Sequence, residues 1–309
     1  MSHVYDMLII GGGPAGYSAA LYAVRAGLSC AVIEKMTIGG QLTLTGSVDN
    51  YPGFDEGVDG ITLGMKLQAG AEKYGAESIY DEVTAVSLEG KIKKITTAGG
   101  EYEARTVVIA TGASPKKLGL ATEDALVGRG VHYCAHCDGR FYKDKDVVVV
   151  GGGNSAVGDA LYLSRIAKSV TLVHRRDTLR ASRIYIPSLE NAENIRICYD
   201  SVITDIITNE KGRVSAVKLK STKDGAHTDL SADGVFVSIG RAPATELFFG
   251  MLEINSAGYI IADESTKTNI EGVFAAGDVR EKALRQIVTA ASDGAVAAHF
   301  AEEYLNESK

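Results

Sequence analysis

This chain has little that is basic, little that is long and apolar, and few residues that can cross-link. Lys and Arg number 32 against 39 Asp and Glu, a formal net charge of −7, so the basic footprint of a nucleic-acid binder is missing. No Lys/Arg cluster suggests a lipid surface. The longest apolar runs, such as Val147–Val150 and its neighbours, fall far short of the roughly 20 residues a bilayer requires. The first ten residues lack the charged start and apolar stretch of a signal peptide. They read instead as a strand entering a glycine turn, and a cytoplasmic protein is expected. Cysteine is scarce. Cys30, Cys134, Cys137 and Cys198 are the only four, too few for a secreted disulfide scaffold. What is abundant is glycine, 35 of 309 residues, roughly half again the usual ~7%. Such a surplus points to tight turns and close backbone approach to ligands. With 45% apolar and 23% charged residues the composition is globular, and the length suggests two domains.

The main organising feature is an internal repeat. Tyr5–Lys35 reads strand, glycine turn, helix, strand, and Lys145–Arg175 reads the same way, with Gly11 aligned to Gly151 and Gly13 to Gly153. Each unit is a βαβ, which builds parallel sheet. Between the copies, Ala85–Ile95 and Tyr102–Ile109 look like short strands around the Gly99-Gly100 turn. After the second copy, Ile195–Thr208, Val214–Leu219 and Gly234–Ile239 are strand-like. Gly272–Ala276 then forms a strand into Gly277-Asp278, and Gln286–Tyr304 reads as a helix. This tail has no complete glycine fingerprint and is expected to return to the first domain. Junctions fall near Ser114–Leu118 and Ala242–Glu246, both containing Pro. The expected fold is α/β, with two Rossmann-like nucleotide-binding domains, the second inserted in the first: residues 1–115, 116–244 and 245–309.

Gly11-x-Gly13-x-x-Gly16 follows an apolar strand and opens a helix, with Glu34 ending the next strand. In this setting the first glycine allows the tight turn, and the second lets backbone approach a pyrophosphate. The third permits close packing, and the acid is placed to accept a ribose hydroxyl. The second copy is Gly151-x-Gly153-x-x-Ala156. The position equivalent to Glu34 is His174, followed by Arg175 and Arg176, with Arg180 beyond. A carboxylate at the strand end repels a 2′-phosphate, whereas Arg forks match its oxygens. Site one is therefore expected to bind a dinucleotide without that phosphate, and site two NADP(H).

Cys134-Ala135-His136-Cys137 precedes the second fingerprint and is followed by Asp138. Such a pair is either half of a metal site or a redox dithiol. Cys30 and Cys198 are lone residues in strand patterns, and His132 and His136 lack finger spacing, so the ligand set is incomplete. No metal is expected. A dithiol beside two dinucleotide sites is the coherent reading. A protonated His136 would stabilise a thiolate, and Asp138 could shuttle the proton.

With these residues together, the chain resembles the bacterial-type, low-molecular-weight thioredoxin reductases, which are flavin-dependent pyridine nucleotide-disulfide oxidoreductases. The likeness rests on GGGPAGYSAALYA at 11–23, GGQL at 39–42, YPGF at 51–54 and IATGA at 109–113. It continues in CAHCDG at 134–139, GGGNSAV at 151–157, HRRDTLRA at 174–181, GVFAAGDV at 272–279 and RQ at 285–286. It implies two three-layer domains, FAD in the first and NADPH in the second, in a homodimer that reduces thioredoxin or a thioredoxin-like protein. FAD would contact Gly11, Gly13, Pro14, Ala15, Glu34, Gly40, Gln41, Leu42, Asn50, Asp278, Arg285, Gln286 and Ile287. NADPH would contact Gly153, Asn154, Ser155, Ala156, His174, Arg175, Arg176 and Arg180. The resemblance makes Cys137 the thiol that faces the flavin, Cys134 the one that attacks the partner's disulfide, and Asp138 the acid–base residue. It also implies alternation between two domain orientations, with a hinge near Pro115 and Pro243. His136 departs from the small residue usual between the cysteines. The alternatives are a related reductase with another donor or acceptor (ferredoxin-fed, or peroxiredoxin-reducing) and a non-catalytic redox sensor or zinc module.

Overall fold

The structure is a computed structural model and describes residues 3–35, 38–44 and 47–308. The chain begins with strand β1 (Val4–Ile10), helix α1 (Pro14–Arg25) and strand β2 (Cys30–Glu34). Helix α2 (Gly60–Glu72) follows, started by Asp59, whose side chain accepts from Thr62 N at 2.8 Å. Strands β3 (Glu77–Tyr80), β4 (Val83–Ser87), β5 (Lys93–Thr97), β6 (Glu101–Ile109) and β7 (Ala113–Pro115) come next. The stretch Ala85–Ile95, expected as one strand, is split between β4 and β5. The chain reverses at Gly90, in the left-handed region at φ 79°, and the two strands pair antiparallel.

Further along lie strand β8 (Val131–His132), the single helical turn α3 (Ala135–Asp138), β9 (Asp146–Val150), α4 (Asn154–Leu163), β10 (Ser169–Val173) and α5 (Ile186–Glu190). They are followed by β11 (Ile195–Cys198), β12 (Ser201–Thr208), β13 (Val214–Ser221), β14 (His227–Ser231) and β15 (Gly234–Val237). Ile195–Thr208 is thus two strands. Asp200, at φ 49°, turns the chain between them, a conformation Asp tolerates better than most residues. Strands β16 (Arg241–Pro243) and β17 (Val273–Ala275) and helix α6 (Ile287–Glu307) complete the chain. Strands β7 and β16 pair with each other.

The chain divides into two compact units, one running up to Ser114 and resuming at Ala242, the other spanning Pro115–Arg241. The first holds a sheet ordered β3-β2-β1-β6-β5-β4, with β17 also on β6. The first half of β6 pairs antiparallel with β5, and its second half pairs parallel with β17. Period-two alternation sends Met7 and Ile9 to one face and Leu8 and Ile10 to the other. The first face is covered by an alanine-rich seam from α1 and α6, including Ala15, Ala19, Ala297 and Ala301. Phe248, Leu252 and Ile260 cover the second.

The second unit holds a parallel sheet ordered β11-β10-β9-β15-β8 and a separate antiparallel sheet ordered β12-β13-β14. Val147, Val149 and Phe236 pack on Ala156, Val157, Ala160 and Leu163 of α4. Val148, Val150 and Val235 pack on Ile203, Ile206 and Val217 of the antiparallel sheet. This unit is therefore three layers, with its parallel strands buried on both sides.

Candidate functional site

The repeat read from the sequence is reproduced in backbone hydrogen bonds. Gly11 N donates to Ile33 O at 2.9 Å and Gly151 N to Val173 O at 3.0 Å. Tyr17 N donates to Gly13 O at 3.0 Å and Val157 N to Gly153 O at 3.1 Å. Gly11 and Gly151 sit at φ 110° and 152°, which an L side chain rarely adopts. A Cβ at either would lie 2.4 Å from the carbonyl oxygen of Ala110 or Ser238.

In the first unit, the Glu34 carboxylate accepts from Gly12 N at 2.7 Å, so it is locked at the rim of the turn. Gly13 caps α1 with no side chain over its first N–H groups, and Pro14 stands in the first turn. A Cβ at Gly13 would meet nothing within 4 Å. The helix start thus presents its positive end to open space, the arrangement that receives a pyrophosphate. Gly40 and Gln41 begin a short 3₁₀ turn nearby, with the Gln41 side-chain amide donating to Ala113 O. Leu42 is buried with Val48 and Leu63, and Ile287, the other apolar residue expected at this site, packs against them.

The tail brings distant residues together. Asn50 Nδ2 donates to Gln286 Oε1 at 3.0 Å across 236 residues of sequence. Gln286 also forms a capping box with Thr289 at the start of α6. The Arg285 guanidinium lies 4.0 Å from the centre of the Tyr259 ring, and its buried Nε has no hydrogen-bond partner among the described residues. A buried donor left in this way suits an anionic ligand. Asp278 follows the turn at Gly277, whose N–H donates to Asp293 Oδ2 at 2.9 Å. No local sequence pattern marks Asp293, which lies in α6. It also accepts from Arg280 Nε and Lys282 Nζ, each at 2.8 Å. Burial pushes its carboxyl upward, but the bonds from Arg280 and Lys282 outweigh that and hold it below the usual range. This network fixes the loop that carries Asp278, Arg285 and Gln286. These residues fit a dinucleotide without a 2′-phosphate.

In the second unit the His174 ring lies against Gly152, where a Cβ would come within 2.2 Å of it. Its Nε2 donates to Thr178 O at 3.0 Å. Burial lowers its basicity. The fixed positive charge here therefore belongs to Arg175, Arg176 and Arg180, all exposed, and not to the histidine. Arg180 N donates to Gly152 O at 2.7 Å and Ser182 N to Asn154 Oδ1 at 2.7 Å, so the arginine loop is tied to the glycine turn. Ser155 is exposed on the first turn of α4, and Ala156 is buried beneath it. Exposed guanidinium groups beside a glycine turn are the donor set that would suit a dinucleotide carrying an added phosphate.

Cys134 and Cys137 are joined by a disulfide, with Cα atoms 5.3 Å apart. Among the described residues no group of three His, Cys, Asp or Glu could hold a metal. Of the remaining cysteines, Cys30 is buried in β2. Cys198, expected as a core residue, is half-buried with its Sγ 3.3 Å from Ser201 Oγ. The disulfide turn packs on α4. The His136 ring centre lies 4.1 Å from that of Tyr162, and Gly139 abuts Leu163. Ahead of it, buried Glu123 accepts from the backbone of Leu118 and Gly119 and from Tyr133 Oη at 2.8 Å, which anchors the residue next to Cys134. Asp138 Oδ2 lies 3.0 Å from His132 Nδ1.

A fold with two glycine-turn βαβ units and a disulfide ahead of the second defines a class, the pyridine nucleotide-disulphide oxidoreductases. That family's pattern matches residues 5–294, and the chain belongs to it. Within the class it belongs with the bacterial thioredoxin reductases. It is 47% identical to thioredoxin reductase of Listeria innocua, covering 99% of this chain and 95% of that one. The figure is 48% for the enzyme of Streptomyces coelicolor, over the same shares. The crystal structure of thioredoxin reductase from Streptococcus pyogenes superposes with a TM-score of 0.91 at 45% identity, covering 99% of this chain and 100% of that one.

Proposed function

We propose that this protein is an NADPH-dependent flavoprotein that passes electrons through FAD and the Cys134–Cys137 pair to the disulfide of thioredoxin or a thioredoxin-like protein, as a cytoplasmic homodimer. The observation that carries it is the disulfide turn followed by Asp138, packed on the helix of the second glycine turn. No helix among the described residues is long and apolar enough to cross a membrane. Bound FAD would supply the two-electron carrier between nicotinamide and sulfur. Glu34 would hold a ribose hydroxyl of that dinucleotide, with Gly13 and Arg285 at its phosphates. Arg175, Arg176 and Arg180 would hold the 2′-phosphate of NADPH. With the disulfide reduced, Cys134 attacks the partner's disulfide, Cys137 resolves the mixed disulfide, and Asp138 moves the proton.

The test is anaerobic mixing with each nicotinamide coenzyme. NADPH bleaches the flavin rapidly and NADH far more slowly. Colourless, zinc-loaded protein would instead support a non-catalytic module. Arg175→Ala combined with Arg176→Ala raises the KM for NADPH by roughly 10²-fold, at about 1.5 kcal/mol for each charge-assisted bond, and leaves NADH kinetics unchanged. If both coenzymes weaken equally, the arginines do not read the phosphate.

His136 sets the poise of the pair. A cationic neighbour favours the thiolate and so makes the disulfide more oxidising. His136→Thr lowers the dithiol potential by about 10–30 mV on redox titration; an unchanged potential rules the effect out.

A further inference from the structure

We propose that His132 is a positioning residue for Asp138, holding the carboxylate that serves the sulfurs in a single orientation through a Tyr142–His132–Asp138 chain. The inference rests on the proposed acid–base role of Asp138 and deepens it.

Both ring nitrogens of His132 are engaged. Nδ1 lies 3.0 Å from Asp138 Oδ2, and Nε2 lies 2.7 Å from Tyr142 Oη. An ionised carboxylate only accepts, so Nδ1 carries the proton and donates it to Asp138. Nε2 of a neutral ring then accepts, and Tyr142 must donate. Burial, followed by the charge of Asp138, pushes the Tyr142 phenol up to about 12, so its donor proton is secure. The two bonds together select one imidazole tautomer. Neither partner is adjacent in sequence: His132 comes from β8, Asp138 from α3 and Tyr142 from the turn after it.

The ring is held as firmly as its bonds. It stacks on Phe236 of β15 at 5.2 Å, and Tyr142 meets both rings edge-on. Tyr142 occupies the space a side chain at residue 234 would need. A Cβ on Gly234 would lie 2.3 Å from its ring. His132 and Tyr142 are both 7% exposed. A histidine serving only to fill the core would not need a carboxylate one residue after Cys137.

The chemistry gives this orientation a task. Cys134 thiolate attacks the partner's disulfide and expels its first sulfur as a thiolate. Cys137 thiol then gives its proton to the ionised Asp138 carboxylate as its sulfur attacks Cys134 and expels the second thiolate of the partner, which takes that proton from the carboxyl. The carboxyl ends as it began, and the electron pair has moved from the Cys134–Cys137 dithiol to the partner. A carboxylate free to rotate would spend less time aimed at either sulfur.

The test uses the holoenzyme with two acceptors, thioredoxin and a small aromatic disulfide. His132→Leu should lower kcat by roughly 10–100-fold with both, while flavin reduction by NADPH and the KM for NADPH stay unchanged. His132→Asn, which restores an N–H donor near the Nδ1 position, should recover kcat to within about threefold. Wild-type kcat in His132→Leu overturns the proposal, as does a His132→Asn enzyme equally slow with an intact NADPH half-reaction. Should His132→Leu not fold, Tyr142→Phe decides: a several-fold fall in kcat supports the chain, and no change overturns it. A wild-type enzyme that turns over the small disulfide but not thioredoxin would refute the partner assignment alone.

Discussion

Replacing Cys137 by serine is expected to abolish catalytic turnover of thioredoxin, by at least about 10³-fold, the scale of losing a covalent catalytic group. Cys134 remains able to attack a partner disulfide, but no second sulfur is left to release it. The product is a stable mixed disulfide at Cys134, visible as a mass increment equal to the partner and reversible by added thiol. Flavin reduction by NADPH should survive, because that half-reaction does not touch Cys137. The complementary Cys134→Ser enzyme should capture no partner. If Cys137→Ser retains turnover, or if the adduct forms equally in Cys134→Ser, the assigned order of the two sulfurs is wrong. The same trap, applied to a cell extract, identifies the natural partner by mass.

Asp293→Ala is expected to destabilise the first unit by about 3–5 kcal/mol, the cost of leaving buried charge unpaired. Arg280 and Lys282 have side chains only 6% and 7% exposed and both point at this carboxylate. A unit of this size loses about 2–4 °C per kcal/mol, so the unfolding midpoint should drop by about 6–20 °C. Flavin retention should fall as well, since Gly277 N loses its acceptor and the loop bearing Asp278 and Arg285 loosens. The pH dependence follows from the depressed carboxyl. Its stabilisation is complete above the unfolded value near 3.9 and is lost as pH falls through the lower folded value. The wild-type advantage over Asp293→Asn should therefore shrink below about pH 4. Equal midpoints at pH 7 would show that the network carries no net stability.

How much was legible in the sequence depended on the distance between partners. The two βαβ units were readable because a strand, a glycine turn and a helix declare themselves within some thirty residues, and the copies reinforced each other. The contrast between Glu34 and Arg175-Arg176 was readable for the same reason. His174 was harder. Its place in a basic run suggested charge, but burial against Gly152 makes it a neutral support for the turn. Ala85–Ile95 and Ile195–Thr208 were each read as one strand because apolar alternation continues through the reversals at Gly90 and Asp200. Helix α2 announces itself only by its cap, in which Asp59 accepts from Thr62 N.

The residues that organise the sites were the least visible. Asp293 meets Arg280 and Lys282, Glu123 meets Tyr133, and Asn50 meets Gln286. By spacing alone His132 offers itself only as part of an incomplete metal-ligand set. No periodicity links it to Asp138 and Tyr142.

The amino-acid order alone determined the two glycine turns, the opposite charges at the ends of the strands behind them, and the spacing that lets Cys134 and Cys137 meet. Each of these is a local matter of backbone sterics and side-chain charge over a few bonds. Only the tertiary structure decided which carboxylate neutralises which buried cation, that His174 is a neutral prop, and which imidazole faces Asp138. Those outcomes depend on burial and on side chains brought from separate strands and turns, where desolvation sets both the charge state and the strength of every bond.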